Sequence, residues 1–397
     1  MEPKKRWDGY RSFDYLVPGE DFRQFELSPQ ISRVAPYVLP LSPEQEERAE
    51  RLLRELVFIS LHDHGGIAPS DLSENDTFIR EGRESYGYEG LAASGLDAVF
   101  ENFLDGTSTV TSKAGWKWTD VIHDLGMHFA DVKHQSLVFV GSGIADIRAA
   151  HASGRIAMIP CIEGAAPIEN ELDRLDVLYG LGVRMCGVTY SESNQLGGGL
   201  KDPIDGGLTR FGEAAVTRMN RLGMAIDVSH SGDVTAMQTC KASAAPVFLS
   251  HSGARALFGE PKLKEDDLLK AIADTGGVIG IEASPHSTIT TAHPRHSIES
   301  VMEHFEYCVE LVGIDQVAFG PDTFFGDHVG LHELYAGAFD TGEVPTHEWV
   351  EYVEGLENPS EYPNIVRWLV AHNYSDEQIG KVLGENILKA MASVWVD

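Results

Sequence analysis

The stretch GEAAVTRMNRLGMAIDVSH, residues 212–230, joins a helix-like segment to a short apolar run. The helical pattern covers residues 212–223, and the apolar run covers 224–229 and ends at His230. Near-continuous apolar runs of this length are typical of parallel strands that are covered on both faces. The stretch therefore predicts a helix that leads into a buried parallel strand, the unit from which α/β folds are built.

Apolar runs of the same kind recur along the chain, at 57–61, 137–140, 156–162, 183–189, 224–229, 246–250, 277–282 and 316–320. Helical patterns lie between several of them, for example over residues 266–277. A count of about eight predicts a (β/α)8 TIM-like barrel. A doubly wound open α/β sheet is the alternative. The barrel is favoured because no glycine-rich phosphate loop follows the first run, and because residues capable of chemistry follow most of the runs.

The chain has 397 residues, a length that a single barrel domain often reaches. Residues 1–41 carry prolines and aromatic residues without clear periodicity, which predicts an N-terminal arm that packs on the body. A helix is predicted to begin after Ser42, because Pro43 stands at its first position and Gln45 completes a capping box. Residues 42–397 are therefore interpreted as one barrel domain.

The formal net charge of −30 argues against nucleic acid and anionic membranes as partners, because both bind basic surfaces. No stretch has the ~18 uninterrupted apolar residues of a membrane helix. No apolar segment follows the basic residues near the N-terminus, as it would in a secretory signal, so we expect a cytoplasmic protein, with a mature secreted form whose signal has been removed as the alternative. The cysteines lie far apart and are expected to be buried thiols, not a disulfide or a metal site: Cys161, Cys186, Cys240 and Cys308.

Side chains that bind metals stand at the carboxyl ends of the predicted strands, beginning with the stretch FISLHDHGG at 58–66. They are His62, His64, Glu163, His230, His251 and Asp322. Active sites of (β/α)8 enzymes lie on that face of the barrel. Imidazoles suit zinc and a carboxylate can bridge two ions, so the set predicts a two-metal site. Each residue alone would also fit a hydrogen-bonded loop position, and Asp63 is expected to point to the other side of its strand.

Five long motifs follow one another along the chain. They are IPCIEGAAPIENELDRLDVLYGLGVRMCGVTYSESNQLGGGL at 159–200, GLTRFGEAAVTRMNRLGMAIDVSHSGDVTAM at 207–237, APVFLSHSGARAL at 245–257, HFEYCVELVGIDQVAFGPD at 304–322 and YPNIVRWLVAHNYSDEQIGKVLGENIL at 362–388. In this order they resemble the membrane (renal) dipeptidase family of zinc metallopeptidases. The resemblance covers residues 55–392 and leaves the N-terminal arm outside. It implies an amidohydrolase-like barrel that hydrolyses peptide bonds.

The resemblance also implies roles for the residues at the strand ends. Glu163 would bridge two divalent metal ions, most simply zinc. His62 and His64 would complete the shell of one ion, and His230 and His251 that of the other. A hydroxide held between the ions would attack a carbonyl carbon, and Asp322 would move its proton to the leaving nitrogen. The alternative for Asp322 is an aspartate that caps a loop.

Three positions depart from the family's usual pattern. His64 stands where the family usually has an aspartate, which removes one negative charge from around the metals. Tyr190 replaces a histidine that contacts the substrate, and its phenol can still donate a hydrogen bond to an oxyanion. Lys262 replaces an arginine that binds the terminal carboxylate of a dipeptide. A lysine offers a point charge in place of a bidentate fork, with a solvated side chain as the alternative.

Two further residues complete the predicted substrate-binding set. Arg255, just past the sixth apolar run, would supply the missing fork, with a structural ion pair as the alternative. Asn194, in the glycine-rich segment TYSESNQLGGGL at 189–200, would belong to a loop on the substrate side. The alternative for that segment is a plain surface turn.

The sequence as a whole predicts a binuclear metal-dependent hydrolase of dipeptidase type that cleaves a peptide or amide bond in a small molecule. A metal-dependent lactonase or phosphoesterase is one alternative, because the same centre attacks esters. A barrel that has lost catalysis and serves in binding is another, although the predicted ligand positions all carry suitable groups. The resemblance also implies a homodimer.

Overall fold

The computed structural model of the chain describes residues 5–103, 117–334 and 350–396. Its strands are β1 (Ile59–Asp63), β2 (Gly66–Ile67), β3 (Ser85–Tyr86), β4 (Ala98–Asn102), β5 (Val138–Val140), β6 (Ile156–Ile162), β7 (Met185–Gly187), β8 (Ala225–Asp227), β9 (Val247–Ser252), β10 (Ile279–Ile281) and β11 (Val317–Phe319). Its helices are α1 (Pro43–Glu55), α2 (Asn75–Glu81), α3 (Tyr88–Ser94), α4 (Trp118–Val132), α5 (Ile144–Ser153), α6 (Asp173–Gly180), α7 (Arg210–Leu222), α8 (Asp233–Ala242), α9 (Asp266–Asp274), α10 (Ile298–Val312), α11 (His328–Leu334), α12 (Pro363–Ala371), α13 (Asp376–Gly380) and α14 (Asn386–Met391).

Eight parallel strands form a barrel in the order β1, β4, β6, β7, β8, β9, β10 and β11. At their carboxyl ends, the first and last of these strands are joined by backbone hydrogen bonds. The amide of Asp322 donates to the carbonyl of His62 at 3.1 Å, and the amide of His64 donates to that of Thr323 at 3.0 Å. The predicted (β/α)8 TIM-like barrel is therefore confirmed.

One predicted barrel strand was wrong. The run at 137–140 contains β5, which pairs with β6 outside the main strand order, whereas the second barrel strand is β4. The other seven predicted runs each overlap a barrel strand. Strand β4 ends in Glu101 and Asn102, which interrupt its apolar pattern although both are buried. Glu101 is satisfied there because it accepts hydrogen bonds from the Gly65 amide and the Tyr86 hydroxyl.

Alternate residues of the barrel strands belong to two different layers of the core. Ile59, Leu61 and Phe100 pack in one buried cluster with residues of the neighbouring strands. Phe58 and Val99, which alternate with them, join a larger cluster that contains the apolar sides of the surrounding helices. Since side chains alternate along a strand with a period of two, one barrel supplies both layers. The barrel is thus a packed core, and chemistry is left to its ends.

The helix signals in the sequence are found in the structure. The Ser42 hydroxyl accepts from the Gln45 amide and the Gln45 side chain accepts from the Ser42 amide, so the predicted capping box opens α1. Helix α7 fills most of the helical pattern at 212–223 and ends at Gly223, whose φ of 73° is in the left-handed region that favours glycine at helix ends.

The described part of the N-terminal arm packs along the body at several points. The Lys5 ammonium lies 2.6 Å from the Asp97 carboxylate with both side chains fully buried. Further along, the Phe13 amide donates to Asp131 at 2.7 Å and the Leu39 amide donates to the Asn364 side chain at 3.0 Å. These contacts fit the predicted arm, while the boundary between arm and domain stays a prediction.

Two negative expectations from the sequence can be compared with the structure. Cys161, Cys186, Cys240 and Cys308 are all free and buried, as expected. Among the helices in the described part of the chain, none is long and apolar enough to span a bilayer.

Candidate metal centre

The six predicted ligands and acid–base residues come together at the carboxyl-terminal end of the barrel. They are His62 within β1 and His64 just after it, Glu163 directly after β6, His230 after β8, His251 within β9 and Asp322 after β11. Parallel strands deliver residues at corresponding positions to one face of the barrel, which is how positions so far apart in sequence become neighbours.

The first half of the centre is formed by His62, His64 and Asp322. The Nε2 atoms of the two histidines lie 3.3 Å apart. Oδ1 of Asp322 lies 3.3 Å from Nε2 of His62 and 3.5 Å from Nε2 of His64. Three donor atoms therefore face one point, as a metal ion requires.

The second half is formed by Glu163, His230 and His251. The Nε2 atoms of the two histidines lie 3.0 Å apart. Oε1 of Glu163 lies 2.7 Å from Nε2 of His230 and 3.4 Å from Nε2 of His251. These three side chains also present their donor atoms to one point.

Glu163 lies between the two halves. Besides its contacts with the second pair of histidines, its Oε1 lies 3.7 Å from Nε2 of His62 and its Oε2 lies 4.0 Å from Nε2 of His64. A carboxylate with this placement has an oxygen near each histidine pair. That arrangement is the one expected of a bridging ligand.

Polar residues behind the histidines orient their rings. The Ser250 hydroxyl donates to Oδ2 of Asp227 at 2.6 Å, so its oxygen can accept from Nδ1 of His251 at 2.8 Å. A proton on Nδ1 leaves the lone pair of Nε2 for the centre. The side-chain amide nitrogen of Asn102 lies 2.9 Å from Nδ1 of His62 and fixes the orientation of that ring. The sequence prediction missed Asn102, Asp227 and Ser250, of which Asp227 also forms a group of possible metal ligands with His62 and His251.

Burial sets the charge of the imidazoles. It lowers the pKa of His62, and it lowers the pKa of His230 and His251 well below the ordinary value, so these rings are neutral near pH 7. Neutral imidazole is the form that binds metals. The buried donor set of imidazoles and carboxylates therefore fits a divalent metal ion such as zinc.

Asp322 differs from the other residues in its backbone and its charge. Its φ of 60° lies in the left-handed region, which a non-glycine residue rarely adopts and which often occurs at functional sites. Burial would raise the pKa of its carboxyl group, but the adjacent His251 and His62 outweigh burial and hold that pKa well below its usual range. Asp322 is therefore an ionised carboxylate that faces the first histidine pair.

A comparison with known protein families gives the same assignment as the motifs. The family model described as "Membrane dipeptidase (Peptidase family M19)" matches residues 119–395, well over half of the chain. The chain belongs to the membrane dipeptidase family. The matched segment contains Glu163, His230, His251 and Asp322, whereas the histidine pair of β1 lies before it.

Individual relatives are more distant. Dipeptidase aclJ of Aspergillus oryzae is 29% identical over 279 residues, which are 69% of this chain and 60% of that protein, so the match spans less than two thirds of its length. An amidohydrolase from Pseudomonas aeruginosa has a TM-score of 0.72 at 24% identity and covers 87% of this chain and 99% of that one. A metallopeptidase from Rhodobacter sphaeroides, solved with a phosphinate mimic of the dipeptide L-Ala-D-Ala, has a TM-score of 0.66 at 19% identity and covers 86% and 99%. At these identities the structures support the fold.

Two of the predicted substrate-binding residues lie against the centre of this dipeptidase-family chain. The Tyr190 ring stacks on the His230 ring with centroids 4.1 Å apart. Nζ of Lys262 lies 3.1 Å from Nε2 of His230, and its side chain is only 2% exposed, which excludes the solvated alternative. Nε2 of His230 has one lone pair, so it can accept a hydrogen bond from this ammonium or bind a metal ion, but not both at once. The second partner of the ammonium is the carboxylate of Glu282, 3.6 Å away.

The other two predicted substrate-binding residues are held by their own surroundings. The Asn194 side chain donates to the Val188 carbonyl at 2.8 Å and accepts from the Leu196 amide at 2.7 Å, so its amide stabilises its own loop. The Arg255 guanidinium forms a two-pronged ion pair with Asp233, with distances of 2.5 Å and 3.0 Å. The structural ion pair, which was the alternative for Arg255, is therefore what the structure contains. A substrate-binding role for either residue stays a prediction.

The sequence prediction also missed polar residues on the β10 and β11 side of the barrel. Glu282 follows β10 directly, and the rings of His286, His328 and His332 pack together with centroids 4.6 Å and 5.1 Å apart. Burial lowers the pKa of His328 to about 3, so that ring is neutral near pH 7. The signal that could have indicated them is the segment GDHVGLHEL at 326–334, where two histidines four residues apart share one face of a helix.

Proposed function

We propose that the chain is a binuclear metal-dependent hydrolase of dipeptidase type, which cleaves a peptide or amide bond in a small molecule. The observation that carries the proposal is the position of Glu163 between two pairs of histidines, with Oε1 2.7 Å from His230 and Oε2 4.0 Å from His64. Membership of the dipeptidase family supports the same reaction class.

Five residues would hold the metals. His62 and His64 with Glu163 would hold one ion, and His230 and His251 with Glu163 the other. Divalent ions bound there would supply Lewis acidity and would lower the pKa of bound water to about 7. Ser250 and Asp227 keep the His251 lone pair directed at the centre, and Asn102 fixes the orientation of the His62 ring.

The chain's own residues supply the remaining parts of the reaction. Asp322 would accept the proton of the attacking water and deliver it to the leaving nitrogen, because its Oδ1 lies within 3.5 Å of both ring nitrogens of the first pair. Tyr190, packed on His230, would donate a hydrogen bond to the oxygen on which negative charge develops. The left-handed backbone of Asp322 and the stacked ring of Tyr190 hold these groups in place before substrate binds.

A small peptide is the proposed substrate class. Its support comes from two relatives, one named as a dipeptidase and one solved with a dipeptide mimic. A cytoplasmic location and a homodimeric assembly belong to the same proposal as expectations carried over from the sequence. Lactones and phosphoesters are the alternative substrates, and the substrate panel includes both.

The test combines metal analysis with a substrate panel. The full chain is loaded with zinc, its metal content is measured, and hydrolysis of L,L-dipeptides, L,D-dipeptides, acylated dipeptides, lactones and phosphoesters is followed. We expect about two equivalents of metal and hydrolysis of peptide or amide bonds. A chain that binds less than one equivalent and hydrolyses none of the panel refutes the proposal, and cleavage confined to esters replaces it with the lactonase or phosphoesterase alternative.

The variant Glu163→Gln tests the bridging role directly. We expect it to lose one equivalent of metal and to lower kcat/KM by at least about 100-fold, because a neutral amide is a poor bridge between two cations. Glu310→Gln is the matched control, since Glu310 is exposed on α10. Unchanged turnover in Glu163→Gln would refute its role.

A further inference from the structure

A buried ion pair lies beside the candidate metal centre. Lys262 belongs to the segment after β9, and Glu282 directly follows β10. Nζ of Lys262 lies 3.6 Å from Oε2 of Glu282, and the two side chains are 2% and 1% exposed. The same Nζ lies 3.1 Å from Nε2 of His230, so the pair borders the place where a reacting bond would sit.

The Glu282 carboxylate has one oxygen engaged and one directed at the lysine. Oε1 accepts a hydrogen bond from the Ser287 hydroxyl. Oε2 accepts no hydrogen bond from any residue that the structure describes, and its contact with Lys262 is too long to be one. A buried acceptor without a donor is destabilising, so a ligand that brings a donor to Oε2 gains from satisfying it. Oε2 is therefore a ready acceptor for a bound group.

The charges of the pair restrict which end of a small peptide can bind beside it. A terminal ammonium would be attracted by Glu282 and repelled by Lys262. A terminal carboxylate would be attracted by Lys262 and repelled by Glu282, because two negative charges a few ångströms apart repel strongly in a buried site. A carboxamide satisfies both residues, since its carbonyl accepts from the ammonium and its N–H donates to the carboxylate.

We infer that Lys262 and Glu282 form a subsite for an uncharged carboxamide, so that the preferred substrates are peptides whose C-terminal end is an amide and not a free carboxylate. The inference rests on the proposed function, because it names the substrate class of the same site. It concerns binding and specificity, and it leaves the chemical step to the residues already described. Discrimination arises because the unsuitable group leaves a buried charge facing a like charge.

The experiment compares matched substrates that differ only at the C-terminal end. The zinc-loaded full chain is assayed with L-Ala-L-Ala, L-Ala-D-Ala and their C-terminal amides, and kcat/KM is measured for cleavage of the bond between the two residues. We expect the amides to be preferred at least tenfold. Glu282→Gln keeps the side chain's shape and its acceptor for the Ser287 hydroxyl while it removes the negative charge, so it should shift the ratio at least tenfold toward the free acids. Glu310→Gln should leave the ratio unchanged.

Two kinetic results would overturn the inference. One is a wild-type preference for the free acids, and the other is a ratio that Glu282→Gln does not change. Binding keeps the test independent of turnover, because calorimetry with N-acetyl-alaninamide and N-acetyl-alanine requires no hydrolysis. Amide binding at least tenfold tighter than acid binding supports the subsite even if no peptide is cleaved, in which case only the proposed function fails. Equal or tighter binding of the acid, or no amide binding up to the solubility limit, overturns the subsite.

Discussion

Replacing Ser250 by alanine should weaken one metal position without touching a ligand. The Ser250 hydroxyl donates to Asp227 at 2.6 Å and faces Nδ1 of His251 at 2.8 Å, within a site whose Ser250 and His251 are fully buried. The variant removes the acceptor that keeps the proton on Nδ1. Since Nε2 can then carry the proton, part of the population presents no lone pair to the centre.

The size of the effect follows from these contacts. Loss of a group that orients a metal-bound histidine lowers metal affinity by about 10–100-fold, which corresponds to ~1.4–2.8 kcal/mol. The same change leaves the Oδ2 atom of Asp227 without its hydroxyl donor, which should lower the free energy of unfolding by ~1–3 kcal/mol. Ser250 contacts Nδ1 of His251 closely, whereas its distance to Nδ1 of His62 is 3.4 Å. The change should therefore act mainly on the metal position that His251 serves, so that one of the two metal equivalents is weakened first.

Ser229→Ala is the matched control for this prediction. Its hydroxyl donates to the same carboxylate of Asp227 at 2.7 Å, lies 3.1 Å from the Ser250 hydroxyl and is equally buried, but its contact with His251 is to the backbone amide, at 3.2 Å, and not to the ring. Both variants should be destabilised in urea unfolding. Only Ser250→Ala should lose metal affinity in a competition titration of zinc against a chromophoric chelator. Equal affinities in wild type and Ser250→Ala, within threefold, would refute the orienting role and leave Ser250 a purely structural residue.

Two further predictions concern stability. Lys5→Met should lower the free energy of unfolding by ~3–5 kcal/mol, because it removes the ammonium from the buried Asp97 carboxylate, which keeps its contact with the His151 ring, and urea titration of the full chain measures this; a loss below 1 kcal/mol would contradict it. Burial lowers the pKa of His304 to about 4, so the unfolded chain binds more protons below pH 6.5 and stability falls as the pH is lowered. From pH 7 to pH 5 this group should account for roughly 2 kcal/mol of lost stability, and His304→Gln should lose that much less over the same interval.

The strands that could be predicted from the sequence are those that coincide with an uninterrupted run of apolar residues. Strand β6 is apolar over its whole buried length and β9 begins with an apolar run, so the polar residues that follow these runs can be recognised as strand ends. Strand β4 was not predicted, because Glu101 and Asn102 are typical of loops unless their hydrogen-bond partners are known. Their burial depends on Gly65, Tyr86 and His62, which lie far away in the sequence.

The candidate site shows the same division. Histidines and carboxylates at strand ends can be recognised as possible metal ligands from their residue type alone. All six of the predicted residues lie at the candidate metal centre. The residues that orient these ligands cannot be recognised by residue type. Ser250 and Asp227 are ordinary polar residues, and their role depends on contacts of 2.6 Å and 2.8 Å that form only in the folded chain. Arg255 shows the converse case, since its guanidinium forms the ion pair with Asp233 that the sequence had left open as the alternative.

The charges around the centre explain why Lys262 occurs together with Glu282. With His64 in place of a carboxylate, the predicted ligands and Asp322 contribute only two negative charges toward two divalent ions. A buried Lys262 without a counter-charge would make the centre still more cationic, and an uncompensated buried charge destabilises a fold by several kcal/mol. Glu282, 3.6 Å away, removes that excess. Lys262 therefore does not act as an uncompensated positive charge. In the proposed subsite, the end of the substrate is recognised by hydrogen bonds and not by ionic attraction.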